Sequence, residues 1–282
     1  MPASGLDLAL AQRTLELVDI PSESRDEAHV YAYLEACVPL EKTFSDGGSL
    51  LYAKRTGKPL VLLAAHTDTV PAQGNLPGRV EDGWVIGLGA TDMKGGLAVI
   101  AELGRWAAET ELAYDLALLF FPREELGPAE NPLPEVFERT AIVDEAKLVI
   151  CLEPTDNTLQ LGCLGNLNAR VVFEGRSAHS ARPWLGVNAI GLALEGLRPA
   201  LEAEPRDVEI EGLVFREVIS VTELHGGIAS NVIPARAEAT LNFRYAPDRT
   251  PESAAERVRQ IVGRDVEILS NAPAAHVALA SP

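Results

Sequence analysis

LVLLAAHTD, at residues 60–68, is the stretch that decides the fold, because a continuous apolar run leads directly into polar residues. An apolar run of this length is typical of a strand in a parallel sheet with both faces covered. Similar runs at 116–121 and 148–152 are also followed closely by acidic residues. Because ligands of open α/β sheets bind beyond the carboxyl ends of the strands, the sequence predicts one polar crevice there.

Residues 1–164 have the pattern of a first domain in which strands alternate with helices. The alternation predicts a largely parallel sheet with right-handed crossovers. Ser24 is expected to cap a helix that ends near residue 37. The predicted strands lie at 49–54, 60–66, 115–121 and 147–152, and the other predicted helices at 7–18, 92–108 and 133–144.

The pattern changes after Gly162, and residues 165–270 are predicted to form a second domain. Its elements follow the order β-α-β-β-α-β, which is that of a ferredoxin-like domain. Thr250-Pro251-Glu252 indicates a helix start, with a capping residue, a first-turn proline and an acid in succession. Residues 271–282 are expected to begin a return to the first domain. The predicted fold class is therefore α/β with an inserted α+β domain.

The composition argues against several classes of function. Hydrophobic residues make up 47% of the chain, enough for a core, and the formal net charge is −17 with a pI of about 4.7. Such acidity argues against binding to nucleic acids or to anionic membranes. The three cysteines match no zinc-finger spacing and are expected to be reduced thiols. No apolar run approaches the ~20 residues that cross a bilayer, so we expect a cytoplasmic protein.

His66 and Asp68 are two residues apart at a strand end, so their side chains are expected to face the same side. A metal-bound imidazole usually donates its other N–H to a carboxylate, which Asp68 would provide. Asp92 could bridge two cations, and Gly95 and Gly96 behind it would let a helix start pack close to the sheet. The alternatives are a polar turn for the first pair and an ordinary N-cap for Asp92.

Glu124 and Glu125 follow the longest aromatic-aliphatic strand, and Glu153 follows the next strand. Neighbouring carboxylates repel each other in a sheltered site, so both would ionise only beside cations. A natural division is one metal ligand and one general base that acts on water. The alternative is a solvated acidic loop. Because these motifs all fall at element ends on one predicted edge, we favour a metal site.

Four segments together resemble the signature segments of the co-catalytic zinc amidohydrolases. That clan includes aminoacylases, acetylornithine deacetylases, carboxypeptidase G and succinyl-diaminopimelate desuccinylases. The resemblance extends from about residue 10 to the end of the sequence. The segments are HTDTVP at 66–71, GLGATDMKGGLAV at 87–99, FFPREELGP at 120–128 and CLEPTD at 151–156.

The resemblance implies a site for two Zn²⁺ ions, with Co²⁺ or Mn²⁺ as alternatives. It implies that His66 and Glu153 bind one metal, that Asp92 bridges the two metals, and that Glu125 binds the other. Glu124 would be the general base, and Asp68 would orient the metal-bound histidine.

Two further features are implied by the same clan. The peptide bond between Asp92 and Met93 would be cis. The segment GRSAHSARPWLGVNAI, at 175–190, resembles the lid domain of the desuccinylases most closely. That match implies a homodimer formed through the second domain, with His179 as an oxyanion donor that reaches the partner's site.

The same segment and its continuation imply substrate contacts. Asn231 and Arg244 would bind the polar ends of a small anionic substrate, and Arg182 is a weaker candidate for the same role. A planar guanidinium such as that of Arg244 can pair bidentately with a carboxylate. Without the resemblance, a surface arginine and a loop histidine are the simpler interpretations of Arg244 and His179.

The clan's catalytic domain closes with a late histidine that binds the second metal. The histidines of this chain are His29, His66, His179, His225 and His276. None lies in that ligand motif, so the second metal site is expected to be one ligand short in this sequence. The sheet is also expected to lack strands, which would leave apolar surface exposed.

The predicted activity is metal-dependent hydrolysis of an amide. The substrate implied by the resemblance is N-succinyl-LL-2,6-diaminopimelate, which would lose succinate in lysine and diaminopimelate biosynthesis. One alternative is a related N-acyl amino acid deacylase, like acetylornithine deacetylase, or a dipeptidase. Another alternative is an inactive, truncated relative that dimerises.

Overall fold

The computed structural model describes residues 5–127 and 129–275. Within these ranges the chain separates into two compact units, and the division falls between Leu159 and Gln160. Each unit has a hydrophobic core of its own. No helix in the described ranges is long and apolar enough to cross a membrane.

The first unit is a mixed sheet with helices on both faces. Its helices are α1 (Gly5–Asp19), α2 (Ala28–Cys37), α3 (Gly95–Glu109), α4 (Leu133–Arg139) and α5 (Ile142–Glu145). Its strands are β1 (Glu41–Asp46), β2 (Ser49–Lys54), β3 (Leu60–His66), β4 (Arg79–Glu81), β5 (Trp84–Ile86), β6 (Asp115–Phe121) and β7 (Ala146–Cys151).

The main sheet has the order β1-β2-β6-β3-β7, and β3 runs parallel to both of its neighbours. Leu63 and Ala65 on β3 belong to the core under α1, α2 and α3, whereas Leu62 and Ala64 belong to the core under α4 and α5. Burial on both faces explains why β3 is continuously apolar. Its last residue, His66, lies at the carboxyl edge of the sheet.

The second unit is an antiparallel sheet of order β10-β11-β13-β8-β14. Alternate residues of its central strands face α6 and α7, and the opposite face is more polar. Its strands are β8 (Gly165–Glu174), β9 (Ala178–His179), β10 (Arg206–Ile210), β11 (Leu213–Gly226), β12 (Val232–Ile233), β13 (Arg236–Tyr245) and β14 (Glu267–Ala272). Its helices are α6 (Ala189–Leu201) and α7 (Pro251–Val262).

The predicted fold class is confirmed, with differences in detail. β1 and β2 are antiparallel to their neighbours, so the parallel part of the first sheet is the group β6-β3-β7. The predicted helix at 133–144 is two short helices, α4 and α5. β10 extends the predicted ferredoxin-like order by one edge strand, and β9 and β12 form a separate ribbon.

The two predicted helix caps differ in outcome. Thr250 caps α7 as predicted, because its side chain accepts a hydrogen bond from Ser253 N at 3.2 Å. The prediction that Ser24 caps α2 is wrong, since α2 begins at Ala28. Arg25 has a left-handed φ of 79°, which interrupts any helix continuing from Ser24.

Candidate metal centre

Three potential metal ligands converge beyond the carboxyl ends of β3 and β7. His66 is 1% exposed, and its Nε2 lies 2.9 Å from Asp92 Oδ1 and 3.9 Å from Glu153 Oε1. One ligand atom from each residue lies within 4.8 Å of the others. Because an imidazole and two carboxylates are suitable donors for Zn²⁺, Co²⁺ or Mn²⁺, these residues fit a divalent metal ion.

Asp92 reaches this place through an irregular turn before α3. Ala90–Lys94 form a kinked turn in which Asp92 (φ −119°, ψ 96°) and Met93 (φ −131°, ψ 38°) have non-helical backbone angles. The peptide bond between Asp92 and Met93 is cis, as the resemblance implies. Met93 is buried, and its Sδ accepts a hydrogen bond from His66 N at 3.2 Å. The turn is therefore held against the end of β3.

Gly95 and Gly96 allow the start of α3 to pack closely against its neighbours. A Cβ on Gly96 would lie 2.8 Å from Leu152 O and 2.9 Å from Met93 Cε. A Cβ on Gly95 would lie 2.8 Å from Ala90 O. These distances agree with the role expected for the two glycines, and they bring α3 against the chain that leads from β7 to Glu153.

The crowding of carboxylates changes their proton affinities. Burial raises the pKa of Glu153 to about 7, and Asp92 and the neighbouring glutamates add to the shift against the opposing effect of His66. Burial, and next the charge of Asp92, also raise the pKa of Glu125. A bound cation would relieve this repulsion, which supports the fit of a metal ion.

The pKa of His66 is shifted in the opposite sense to that expected from burial. Burial lowers it, but hydrogen bonds with Asp68 and Asp92 outweigh burial and raise the pKa to about 9. In the metal-free chain, His66 is therefore protonated, and its positive charge lies beside the carboxylates of Asp68 and Asp92.

Asp68 faces His66 and also organises a second segment. His66 Nδ1 lies 3.1 Å from the backbone O and 3.4 Å from Oδ1 of Asp68. The carboxylate accepts hydrogen bonds from Ser24 Oγ at 2.7 Å, from Glu124 N at 3.0 Å and from Glu125 N at 3.3 Å. Burial raises the pKa of Asp68, but hydrogen bonds outweigh burial and lower it.

Glu124 and Glu125 lie in the loop after β6. Arg123 turns this loop, with a left-handed φ of 60°, and its Nη2 donates a hydrogen bond to Gly47 O at 3.1 Å. The turn places both glutamate N–H groups over the carboxylate of Asp68. Among the described residues, the ligand atoms within 4.8 Å of one another are those of His66, Asp92 and Glu153, whereas Glu124 and Glu125 are joined to the site through their backbone bonds to Asp68.

In the second unit, the ribbon of β9 and β12 brings His179, Arg182 and Asn231 together. Ser180 N donates to Asn231 O at 2.9 Å, and Arg182 N donates to His179 O at 2.8 Å. His179 Nδ1 accepts a hydrogen bond from Ala181 N at 3.1 Å, so a neutral ring carries its proton on Nε2. His179 is exposed and can donate a hydrogen bond through that nitrogen.

Arg244 is not part of this ribbon. The ribbon precedes Arg236, the first residue of β13, whereas Arg244 is next to the last. At the usual rise per residue, Arg236 and Arg244 are roughly 27 Å apart along the strand. Arg244 Nε donates to Asn242 Oδ1 at 3.2 Å, and Asn242 Nδ2 donates to Asn166 Oδ1 at 2.8 Å. Arg244 therefore lies in a polar row on the sheet.

Two partly buried contacts near the centre were not predicted. Lys94 is 2% exposed and donates from Nζ to Ile20 O at 2.7 Å, and burial lowers its pKa to about 8. The hydroxyls of Tyr31 and Thr67 lie 3.0 Å apart. Both contacts join segments that are distant in sequence, so no local pattern indicates them.

The sequence predicts that no histidine of this chain lies in the late ligand motif and that the first sheet leaves apolar surface exposed. His276, the last histidine in the sequence, lies outside the described residues. β7 is at one end of the described sheet, and its Leu148 and Val149 are 50% and 44% exposed. Apolar surface is therefore exposed on this strand, as expected.

Two protein families match parts of the chain. Residues 162–267 match the M20 peptidase dimerisation domain. Residues 51–130 match peptidase family M28. The first match covers most of the second unit, and the second match runs from within β2 to beyond β6 and includes His66, Asp92 and both loop glutamates.

The chain is similar to proteins named as desuccinylases. It is 39% identical over 261 residues to a putative succinyl-diaminopimelate desuccinylase of Mycobacterium tuberculosis, covering 90% of this chain and 73% of the relative. It is 38% identical over 275 residues to the succinyl-diaminopimelate desuccinylase of Corynebacterium glutamicum, covering 93% and 73%. An M20 family metallo-carboxypeptidase from Sulfolobus solfataricus has a TM-score of 0.71 at 19% identity, covering 96% and 80%, and supports the fold alone.

Proposed function

This chain belongs to the succinyl-diaminopimelate desuccinylase family of M20-type hydrolases, and we propose that it removes succinate from N-succinyl-LL-2,6-diaminopimelate. The observation that carries the proposal is the convergence of His66, Asp92 and Glu153 at the sheet edge. The 39% identity to a putative succinyl-diaminopimelate desuccinylase supports the choice of substrate. Water adds to the amide carbon, the C–N bond breaks, and succinate and a free amine result. The reaction would belong to lysine and diaminopimelate biosynthesis.

We assign two Zn²⁺ ions to the site, with Co²⁺ or Mn²⁺ as alternatives. His66 and Glu153 would hold one ion, Asp92 would bridge, and Glu125 would hold the second. The raised pKa values of Glu153 and Glu125 support this assignment, because they indicate carboxylates crowded enough to favour cations. A divalent ion held there supplies Lewis acidity, which polarises an amide carbonyl and makes water nucleophilic near neutral pH.

Glu124 is assigned as the general base. It would accept a proton from the attacking water and deliver it to the departing amine nitrogen. Asp68 would orient His66 and, through the hydrogen bonds to the backbone of Glu124 and Glu125, hold the glutamate loop. The distances of 3.0 and 3.3 Å to those two N–H groups support the second role.

The second unit is assigned to substrate recognition and to dimerisation. Arg244 would bind a substrate carboxylate bidentately, with Asn231 and Arg182 as further polar contacts. His179 would donate from Nε2 to the developing oxyanion. Because the ribbon that carries His179 precedes the first residue of β13 and Arg244 is next to the last, we propose a homodimer in which His179 serves the partner's site. The match to a peptidase dimerisation domain supports the dimer.

The test compares substrates on the purified chain supplied with Zn²⁺, Co²⁺ or Mn²⁺. We expect kcat/KM for N-succinyl-diaminopimelate to exceed that for acetylornithine, N-acetyl amino acids and dipeptides by at least about 100-fold. Faster turnover of an acetylated substrate would identify a deacylase, and faster turnover of dipeptides would identify a dipeptidase. Absence of turnover in a chain that holds at most one metal ion would identify the inactive, dimerising relative.

A further inference from the structure

Ser24 lies outside the motifs that carry the proposed reaction, yet its side chain contacts the site. Its Oγ donates a hydrogen bond to Asp68 Oδ2 at 2.7 Å. Its backbone N donates to Thr69 O at 3.1 Å, and Glu23 forms a parallel bridge with Thr69. Backbone and side chain therefore both attach the loop before α2 to the segment after β3.

The carboxylate that Ser24 binds also holds the loop with the two glutamates. Asp68 Oδ1 accepts from Glu124 N, and Oδ2 accepts from both Ser24 Oγ and Glu125 N. Ser24 is the closer of the two donors to Oδ2. Because Asp68 is 1% exposed, water has poor access to replace this donor if it is lost.

A neighbouring ion pair also joins the loop before α2 to the loop after β6. Arg25 donates from Nε and Nη2 to the carboxylate of Glu130, at 2.9 and 2.7 Å. The side chain of Arg25 is 64% exposed and that of Glu130 is 41% exposed. Exposed pairs of this kind contribute little to stability, so the bond from Ser24 to the buried carboxylate of Asp68 is the stronger constraint.

We propose that Ser24 is a positioning residue for Glu124 and Glu125, acting through Asp68. The hydroxyl fixes the orientation of the Asp68 carboxylate, which in turn fixes the two backbone N–H groups and the start of both glutamate side chains. The roles of the glutamates rest on the proposed function, whereas the hydrogen-bond network does not. Misplacement of a catalytic group by about 1 Å can lower the rate on the order of 100-fold.

The test measures hydrogen exchange of the Glu124 and Glu125 amides by NMR in the metal-free chain. Exchange should be about tenfold faster in Ser24→Ala, because a buried charged group loses a donor. Ser24→Thr keeps the hydroxyl and should exchange as the unaltered chain does. Ser22→Ala is the matched control, because Ser22 Oγ is buried without a hydrogen-bond partner among the described residues.

Ser24→Cys replaces the hydroxyl by a weak donor of similar shape, so exchange should accelerate less than in Ser24→Ala. This variant keeps the proposal testable if Ser24→Ala does not fold. In the loaded enzyme, kcat of Ser24→Ala should fall about 10- to 100-fold with KM within about twofold. Unchanged exchange in Ser24→Ala and Ser24→Cys, or an equal acceleration in Ser22→Ala, would overturn the proposal. Faster exchange in Ser24→Ala supports it even if the chain turns over no substrate, an outcome that overturns only the proposed function.

Discussion

His66 occupies the centre of the candidate site because its two nitrogens face different groups. Nε2 faces the carboxylates of Asp92 and Glu153, and Nδ1 faces Asp68. A pKa of about 9 means that the metal-free ring is protonated at neutral pH. A metal ion on Nε2 must displace that proton, so metal binding and protonation compete.

This competition predicts proton release when Zn²⁺ binds. Both pKa values are raised, so Glu153 ionises above about pH 7 and His66 above about pH 9. His66 should contribute about one proton at pH 8, and His66 and Glu153 together should contribute about two at pH 6. Calorimetry in buffers of different ionisation enthalpy measures the number. Glu153→Gln should release about one proton fewer than the unaltered chain at pH 6, and an equal number from the two chains at pH 6 would contradict the prediction.

The division of roles between the two loop glutamates gives a second prediction. Glu124→Gln removes the proposed base but no proposed ligand, so kcat should fall about 10²- to 10⁴-fold while the metal content is retained. Glu125→Gln is the comparison, because it should lower the metal content as well. Activity assays and metal analysis of the same samples test both statements. Full activity in Glu124→Gln would exclude it as the base.

Among the elements, strands with an apolar run could be predicted, whereas the polar edge strands β1 and β10 could not. β3 has an uninterrupted apolar run at 60–65 and β6 has one at 116–121, because helices cover both faces of these strands. β1 was missed because it is largely polar and exposed, so neither an apolar run nor a clear alternation marks it. The same limit applies to Ser24, because a capping serine and a serine bonded to a distant carboxylate look alike in sequence.

The start of α3 gives a prediction at this scale. Alanine is normally favoured over glycine within helices by about 1 kcal/mol. In Gly96→Ala, however, the new methyl group would overlap Leu152 O at 2.8 Å, so we expect a loss of about 1–3 kcal/mol in unfolding free energy. Zn²⁺ binding should weaken as well, because the turn that holds Asp92 shifts.

Urea denaturation and zinc titration measure the two effects of Gly96→Ala. Gly191→Ala in α6 is the matched control, because the nearest atom to its Cβ would be 4.0 Å away. It should be neutral or slightly stabilising and should leave zinc affinity unchanged. If Gly96→Ala behaved like Gly191→Ala, close packing at the start of α3 would not matter to the metal centre.

For the whole molecule, the two units have separate cores, and the proposed metal ligands all belong to the first unit. Calorimetry should therefore show two transitions, and Zn²⁺ at about 1,000 times its Kd should stabilise one of them by about 4 kcal/mol. His66→Ala should abolish that shift. Gly196→Ala, whose Cβ would lie 2.5 Å from Phe173 in the second core, should lower only the other transition. A single transition that moves as a whole with Zn²⁺ would show instead that the two units unfold together, and that metal bound in the first stabilises both.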